Sequence, residues 1–204
     1  MTTLRPAKST RMAADDRRVL ILDAATEVFG ERGYAGTTTD QVATAAGVSQ
    51  PYVVRMFGTK EKLFLEVLQR DLDRLFDAFR AEIAIESSRP IRERLGFAYV
   101  DLLQDRGLLL SLMHGFVLGS DPVIGKVARC GFLDMYRFLK TEAGFTPSEA
   151  EEFLAKGMLL NTLVGLRVTD DYDTDVDARE LLTAAAHAKV DLLLDVARGQ
   201  AAAD

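Results

Sequence analysis

The fold is decided by residues 37–62, which read TTTDQVATAAGVSQPYVVRMFGTKEK. Thr38 and Gln41 have the spacing of a capping box, in which a hydroxyl and an amide side chain satisfy first-turn backbone groups of a helix. Gly47 stands where a helix end favours a residue in the left-handed conformation. Ser49 is placed to cap a second helix, because a proline suited to the first helical turn follows two residues later. The stretch therefore predicts two short helices joined by a tight turn, followed by the start of a third.

The second of these helices has one apolar face and one polar face. Its apolar residues are spaced to face inward, whereas Gln50, Tyr52 and Arg55 are spaced to face outward. Helix-turn-helix proteins present such a helix to the major groove of DNA, where an arginine prefers guanine O6 and N7. We therefore predict that Gln50, Tyr52 and Arg55 contact base edges. An ordinary helical hairpin with no DNA role has the same local pattern and is the alternative.

The flanking sequence resembles the DNA-binding domain of the TetR family of transcriptional regulators. The matching segments read RRVLILDAATEVFGERGYAGTTTDQVATAAGVS and MFGTKEKLFLEVL. The resemblance implies a helix-turn-helix DNA-binding domain of three helices at 15–58. It also implies a helical ligand-binding and dimerisation domain at 59–204. Val54 stands where the family commonly has a phosphate-contacting tyrosine, so Tyr52 is the neighbouring residue that can supply that contact.

Phosphate contacts position a protein on DNA without specifying sequence. The predicted phosphate contacts are Thr37, Thr38, Ser49 and Lys60. Lys60 lies in the first turn of a helix, where exposed backbone amides also favour an anion.

The net charge of −6 is unevenly divided along the chain. Residues 1–62 carry nine basic and seven acidic side chains, whereas the remainder carries 16 basic and 24 acidic ones. A basic end beside an acidic body can place DNA at one end of the molecule. Residues 1–14 lack periodicity and are predicted to form a flexible arm, which contacts DNA or is a disordered tail. Its basic residues are Arg5, Lys8 and Arg11.

Beyond residue 58 the hydrophobic periodicity stays helical, and no stretch alternates polar and apolar residues as a strand does. The chain is therefore predicted to be all-α. A helix at 59–85 is predicted to connect the DNA-binding domain to the second domain. Further helices are predicted at about 90–105, 107–118, 122–143, 147–168 and 176–198.

The middle helices carry apolar and aromatic residues with a few polar groups, which is the composition of a ligand pocket. The predicted pocket residues are Tyr99, Leu103, Met113, His114, Phe116, Tyr136, Met158 and Asn161. Plain core packing is the alternative for each residue taken alone. The resemblance favours a pocket, because the C-terminal domains of the family usually bind inducers.

The last two helices have apolar faces too wide for a helix that covers one core, which indicates burial on two sides. A two-fold dimer that packs both helices into a four-helix bundle satisfies this pattern. The predicted interface residues are Phe153, Gly157, Val164, Leu181, Ala184, Ala185, Ala188 and Leu192. The alternative is a helix buried inside its own subunit.

Several classes of function find no support in the sequence. One cysteine excludes an intramolecular disulfide and suits a reducing cytoplasm, and two histidines give no metal-ligand spacing. The N-terminus has no apolar segment typical of a signal peptide, and the longest apolar run is too short to span a bilayer. No nucleophile motif or phosphate-binding glycine loop occurs. We therefore expect no enzymatic activity, no metal, no cofactor, no membrane contact and a cytoplasmic location.

The sequence as a whole predicts a homodimeric transcriptional regulator. We expect it to repress transcription from a double-stranded DNA operator until a small hydrophobic effector binds in the C-terminal domain. The main alternative is a helical ligand-binding or protein–protein adaptor that has lost specific DNA binding, which Val54 and the negative total charge favour. A helical enzyme is a further alternative, although the sequence offers no pairing of a base with a nucleophile.

Overall fold

The computed structural model describes residues 14–103, 105–186 and 189–201, and every regular element within these ranges is helical. The elements are α1 (Ala14–Gly36), α2 (Thr39–Ala45), α3 (Gln50–Phe57), α4 (Lys60–Ala84), α5 (Ile91–Leu102), α6 (Arg106–Val117), α7 (Ile124–Thr141), α8 (Pro147–Gly165), a short 3₁₀ turn (Val168–Asp171), α9 (Val176–Ala186) and α10 (Val190–Ala201). The prediction of an all-α fold is confirmed. The single helix predicted at 176–198 is wrong, because α9 and α10 are separate helices. The arm residues Arg5, Lys8 and Arg11 lie outside the described residues.

The head of the molecule, α1 to α3, follows the local signals of the sequence. The predicted capping box is present: the Gln41 amide N–H donates to Thr38 Oγ1 at 3.2 Å, and the Thr38 N–H donates to Gln41 Oε1 at 2.9 Å. Gly47 has a φ of 63°, which turns the chain between α2 and α3. Ser49 occupies the cap position of α3 but makes no side-chain capping bond, so that part of the prediction is wrong.

Helix α1 crosses α6 so closely that the two backbones touch. A Cβ atom on Gly30 of α1 would lie 2.8 Å from the Cα of Gly107 in α6. A Cβ atom on Gly107 would lie 3.0 Å from the Cα of Glu27. Gly30 leaves no room for a Cβ atom, and a Cβ atom at Gly107 would fit only if α1 moved by a few tenths of an ångström. This crossing packs the head against the rest of the molecule. We call that remaining part the body.

Helix α4 runs from the head into the body and forms its spine. Its buried residues Leu68, Leu72, Leu75 and Phe79 recur at helical spacing and join one continuous hydrophobic core. The Phe79 ring lies 6.1 Å from Phe138 of α7 and 5.8 Å from Phe153 of α8, measured between ring centroids. Such aromatic pairs fix both helices on one side of the spine.

Of the helices in the described ranges, none has the length and apolar character that crossing a membrane requires.

Gly107→Ala is expected to lower the free energy of unfolding by about 1–3 kcal/mol, because the added methyl group collides with backbone atoms of α1. The matched control is Gly96→Ala in α5, where an added Cβ has no atom within 4 Å. That variant is expected to gain roughly 0.5–1 kcal/mol from the higher helix propensity of alanine. Urea unfolding of both variants at one protein concentration measures the contrast, and equal stabilities would contradict the close crossing.

Candidate nucleic-acid interface and effector cavities

Helix α3 presents its predicted contact residues on its outer side. Arg55 is exposed, and Gln50 and Tyr52 are half-buried, whereas Val53 and Phe57 lie in the core. The Gln50 amide donates to Thr39 Oγ1 at 3.3 Å, which links α3 to α2. Val54 is 40% exposed, so the departure from the family pattern falls on the outer surface of α3.

Tyr52 is held between two arginines from different helices. The guanidinium carbons of Arg17 in α1 and Arg55 in α3 lie 5.6 Å and 5.0 Å from the centre of its ring. Cation–π attraction at these distances orients the phenol and adds positive charge beside α3. The sequence analysis missed Arg17, although the basic pair at positions 17 and 18 was a signal. Arg18 turns away instead, to the Phe57 ring and the Glu66 carboxylate.

Thr37 does not belong to the predicted phosphate contacts. Its side chain is fully buried, and its hydroxyl lies 2.8 Å from the carbonyl oxygen of Gly33 and 3.2 Å from that of Val28. The hydroxyl therefore donates to the carbonyl of Gly33, which lies in the last turn of α1 and has no partner within the helix. The prediction that this side chain meets DNA is wrong.

Lys60 has a structural role that the sequence analysis missed. Its Nζ donates to the carbonyl oxygens of Tyr34 at 2.9 Å and Thr37 at 3.0 Å, and it lies 4.5 Å from the centre of the Tyr34 ring. The ammonium group thus ties the loop after α1 to the start of α4. An ammonium group has three donors, of which these two bonds use two. A phosphate contact by Lys60 therefore stays a prediction. The predicted contacts by Thr38 and Ser49, both exposed, also stay predictions.

A buried carboxyl group, Asp71, lies at the junction of α1, α4 and α6. Thr26 of α1 donates its hydroxyl to Asp71 Oδ1 at 3.2 Å, and the Ser111 hydroxyl of α6 contacts Oδ2. Burial, together with the nearby Asp105 carboxylate, raises the pKa of Asp71 to about 7. The hydrogen bonds from Ser111 and Thr26 and the charge of Arg74 lower this pKa without cancelling the effect of burial.

The protonated form of Asp71 fits this junction well. The Ser111 hydroxyl also lies 2.8 Å from the carbonyl oxygen of Leu108, and it has a single proton to donate. When Asp71 is protonated, its carboxyl group can donate to Ser111 while Ser111 donates to Leu108. When Asp71 is ionised, Ser111 can satisfy only one of the two acceptors. The head and the body therefore meet at a group that titrates near neutral pH.

The body has an open cavity of about 530 Å³ between α4 and α7, which no predicted site residue lines. Two further cavities concern the predicted site residues. The first, which we call the inner cavity, has a volume of about 60 Å³ and is lined mainly by apolar side chains of α4 to α8. Four predicted pocket residues line it: Tyr99, Phe116, Met158 and Asn161. The Tyr99 hydroxyl donates to Asn161 Oδ1 at 2.7 Å, and both side chains are buried. Burial raises the pKa of Tyr99, which keeps the phenol in its protonated, donating form.

The other four predicted pocket residues line neither the inner cavity nor the second one. His114 packs against α1: its Nε2 lies 3.3 Å from the carbonyl oxygen of Gly30, and its ring occupies the space where a side chain at Gly33 would lie. Leu103 is fully buried at the end of α5. Tyr136 and Met113 are half-buried, and Tyr136 stacks with the Lys140 ammonium. The prediction that these four line the effector pocket is wrong.

The second cavity, which we call the outer cavity, has a volume of about 400 Å³ and lies between α5, α8 and α9. Its lining residues are Pro90, Arg92, Glu93, Gly96, Phe97, Tyr99, Val100, Phe153, Lys156, Gly157, Leu160, Ala185 and Ala186. Tyr99, Phe153 and Gly157 line both cavities and form the wall between them. The sequence did not predict the outer cavity as a site. The only signal was the run of small residues on α8 and α9.

The predicted dimer residues divide into exposed and buried ones. Leu181 and Ala184 are exposed on α9. Val164 and Ala185 are buried in the core of their own subunit, so their assignment to an interface is wrong. Phe153 and Gly157 are half-buried and line the cavities, and their assignment to an interface stays a prediction. Leu192 is half-buried, and Ala188 lies outside the described residues. An exposed stripe on α8 that we did not predict consists of Ala155, Leu159, Thr162 and Leu166.

Comparison with known proteins supports a regulatory role for the head. Residues 21–67 match bacterial regulatory proteins of the tetR family. The HTH-type transcriptional activator FasR of Mycolicibacterium smegmatis is 40% identical over 95 residues, which cover 45% of this chain and 42% of FasR. The HTH-type transcriptional repressor KstR2 of Rhodococcus jostii is 38% identical over 68 residues, which cover 33% of each chain. The chain therefore spans less than half the length of these curated relatives.

Solved structures extend the similarity to the whole chain. A TetR-like transcriptional regulator from Rhodococcus sp. RHA1 matches 94% of this chain and 99% of its own, with 25% identity and a TM-score of 0.56. A member of the TetR family from Streptomyces coelicolor matches 83% of this chain and 98% of its own, with 22% identity and a TM-score of 0.62. The second likeness concerns the fold alone. Both share an N-terminal helix-turn-helix domain followed by a helical C-terminal domain.

The raised pKa of Asp71 predicts how stability changes with pH. The folded protein binds this proton more tightly than the unfolded chain does, so stability falls as the pH rises from about 4 to about 7 and then levels off. Between pH 5 and pH 8, Asp71 is expected to remove roughly 2–3 kcal/mol from the free energy of unfolding. Asp71→Asn is expected to lose this part of the pH dependence.

Urea unfolding at the two pH values measures the effect as a difference between wild type and variant. The control is Asp73→Asn, which changes an exposed carboxylate of the same helix. If Asp71→Asn keeps the pH dependence of the wild type, Asp71 is ionised in the folded protein and the junction does not titrate.

Proposed function

We propose that this chain, whose residues 21–67 match bacterial regulatory proteins of the tetR family, is a dimeric repressor of that family that a small hydrophobic effector releases from its operator. The proposal assigns DNA binding to residues 15–58 and effector binding and dimerisation to residues 59–204, with α4 connecting the two. The protein works by binding rather than by catalysis, and it acts in the cytoplasm, where the operator lies.

This proposal rests mainly on the polar residues that lie on the outer side of α3. Arg55 is exposed there, Tyr52 is oriented by two guanidinium groups, and Gln50 lies one turn away. This arrangement gives one bidentate donor for guanine and two further polar groups for neighbouring bases. Thr38 and Ser49 are the proposed phosphate contacts beside it, with Lys60 as a third that also holds the α1–α4 loop.

A second copy of the chain is part of the proposal, because helix-turn-helix proteins read two half-sites about 34 Å apart or at a multiple of that spacing. The exposed stripe on α8 supports dimerisation, since its residues at 155, 159, 162 and 166 recur at helical spacing. On α9, Leu181 adds apolar surface that is 43% exposed. Burying both surfaces against a second copy removes them from water.

The proposed switch passes through α4 and the head–body junction. An effector in the body favours a packing in which α4 and α6 move relative to each other, and α1 follows because its backbone touches α6. The two copies of α3 then no longer match the spacing of the half-sites. The effector can shift this equilibrium only by its difference in affinity for the two packings. FasR is named an activator and KstR2 a repressor. The proposal therefore centres on how the effector releases the protein from DNA, and less on whether bound protein represses or activates transcription.

Arg55→Ala tests the DNA contact, and the DNA fragment comes from selection of genomic fragments with the purified protein. The variant is expected to lose about 1–3 kcal/mol of affinity for the selected fragment and to discriminate less between it and point variants. The control Arg137→Ala removes an exposed arginine of α7. Fluorescence anisotropy at fixed salt measures both variants. An equal loss on every DNA sequence would contradict base contact, and wild-type binding that is absent or insensitive to salt would favour the adaptor alternative.

Leu159→Glu tests the dimer, because a carboxylate in the centre of the α8 stripe must lose water on association. The wild type is expected to sediment as twice the chain mass of 22.5 kDa, and the variant as a single chain at micromolar concentration. Leu133→Glu is the control, since Leu133 on α7 is 49% exposed and Leu159 is 40% exposed. A dimer that survives Leu159→Glu, or one that Leu133→Glu breaks, would place the interface elsewhere.

A further inference from the structure

Arg17 of α1 reaches the outer side of α3 from a different helix. Its guanidinium carbon lies 5.6 Å from the centre of the Tyr52 ring, and the guanidinium carbon of Arg55 lies 5.0 Å from the same centre. Arg17 and Tyr52 are both half-buried. The ring therefore holds a second guanidinium group close to the arginine that is proposed to contact bases.

Among the residues that the structure describes, neither guanidinium group has a counter-ion. No carboxylate there pairs with Arg17 or Arg55, whereas the adjacent Arg18 pairs with Glu66. Asp16 precedes Arg17 in the first turn of α1, where the helix dipole stabilises an acidic side chain. Two unpaired cations beside one ring repel each other, and an anion placed next to them offsets that repulsion.

The dimensions of DNA indicate which anion Arg17 meets. An α-helix with its side chains is about 10–12 Å wide, and the major groove is about 12 Å wide. A recognition helix therefore fills the groove, and a side chain that flanks this helix meets the sugar–phosphate backbone rather than a base edge. Arg17 flanks α3 because it comes from α1.

We propose that Arg17 binds a backbone phosphate of the operator and that the Tyr52 ring positions its guanidinium group for this contact. The inference rests on the proposed function, because it requires α3 to lie in a major groove. It extends the DNA contact to α1, outside the helix-turn-helix of α2 and α3. A guanidinium group that the ring already holds loses less conformational entropy when it binds, which favours the contact.

The salt dependence of DNA binding tests the phosphate contact. Each phosphate that a cation neutralises contributes about 0.9 to the slope of log affinity against log salt concentration. Arg17→Ala is therefore expected to make this slope shallower by about 0.9 for each bound subunit, with unchanged discrimination between the selected genomic fragment and its point variants. Fluorescence anisotropy of the full chain at several salt concentrations measures both quantities. An unchanged slope, or a loss of discrimination without a change of slope, overturns the assignment.

Two further variants separate a specific contact from a general change of charge or a folding defect. Arg17→Gln keeps a long polar side chain without the charge and is expected to change the slope as Arg17→Ala does. Arg18→Ala removes the neighbouring arginine, whose charge is paired with Glu66, and is expected to keep the wild-type slope. Circular dichroism shows that each variant is folded. If Arg18→Ala makes the slope as shallow as Arg17→Ala does, the assignment to Arg17 is overturned.

Tyr52 variants test the positioning role of the ring. Tyr52→Phe keeps the ring and loses only an uncharged hydroxyl, so the wild-type slope is expected to remain although affinity falls. Tyr52→Leu removes the ring and is expected to make the slope shallower, and adding Arg17→Ala to it is expected to have little further effect. A wild-type slope in Tyr52→Leu overturns the positioning of Arg17 by the ring.

The behaviour of the wild type separates this inference from the proposed function. Wild-type binding that is absent, or that salt does not weaken, contradicts the proposed function and the inference with it. Salt-sensitive wild-type binding with a slope that both Arg17 variants leave unchanged supports the proposed function and overturns the phosphate contact alone.

Discussion

The crossing of α1 over α6 at Gly30 and Gly107 is the constraint on which the rest of the structure depends. Since neither position carries a side chain, the two backbones touch, and this contact fixes how the head packs on the body. The same contact encloses Asp71 between Thr26 and Ser111, and it brings His114 of α6 against the last turns of α1. Close packing of this kind transmits a displacement instead of absorbing it. A small movement of α6 must therefore move the helix that braces α3.

The body offers a physical path from its cavities to this crossing. Phe79 of α4 packs against Tyr99 and Phe153, which form the wall between the inner and the outer cavity. Asp71 follows on the same helix two turns closer to the head, where its hydrogen bonds join α4 to α1 and α6. The wall and the junction thus share a single rigid element. One helix that contacts both the cavity wall and the junction is the kind of element through which two sites can be coupled.

The sequence predicted the features whose causes are local. The capping box at Thr38 and the left-handed Gly47 were recognisable because each is decided by residues within a few positions. The residues that were assigned wrongly contact residues far away in the sequence. His114, for example, contacts the carbonyl oxygen of Gly30, 84 positions away. Thr37 looked like a surface residue beside the turn, but its hydroxyl pairs with carbonyl groups of α1. The outer cavity was missed because its walls come from three helices that are far apart in sequence, and periodicity along one helix cannot show such a space.

Helix α8 has a wide apolar face that indicated burial on two sides. Its buried side chains Leu160, Leu163 and Val164 face the core, and its exposed stripe around Leu159 faces outward. Between these two sides, Lys156 and Gly157 face the outer cavity. A helix used on three sides has little polar surface, which explains the pattern that suggested burial on two sides. Under the proposed function, a ligand in the outer cavity and a second copy of the chain lie on adjacent sides of this one helix. A ligand that shifts α8 would then change the surface offered to the partner, which would couple effector binding to the spacing of the two heads.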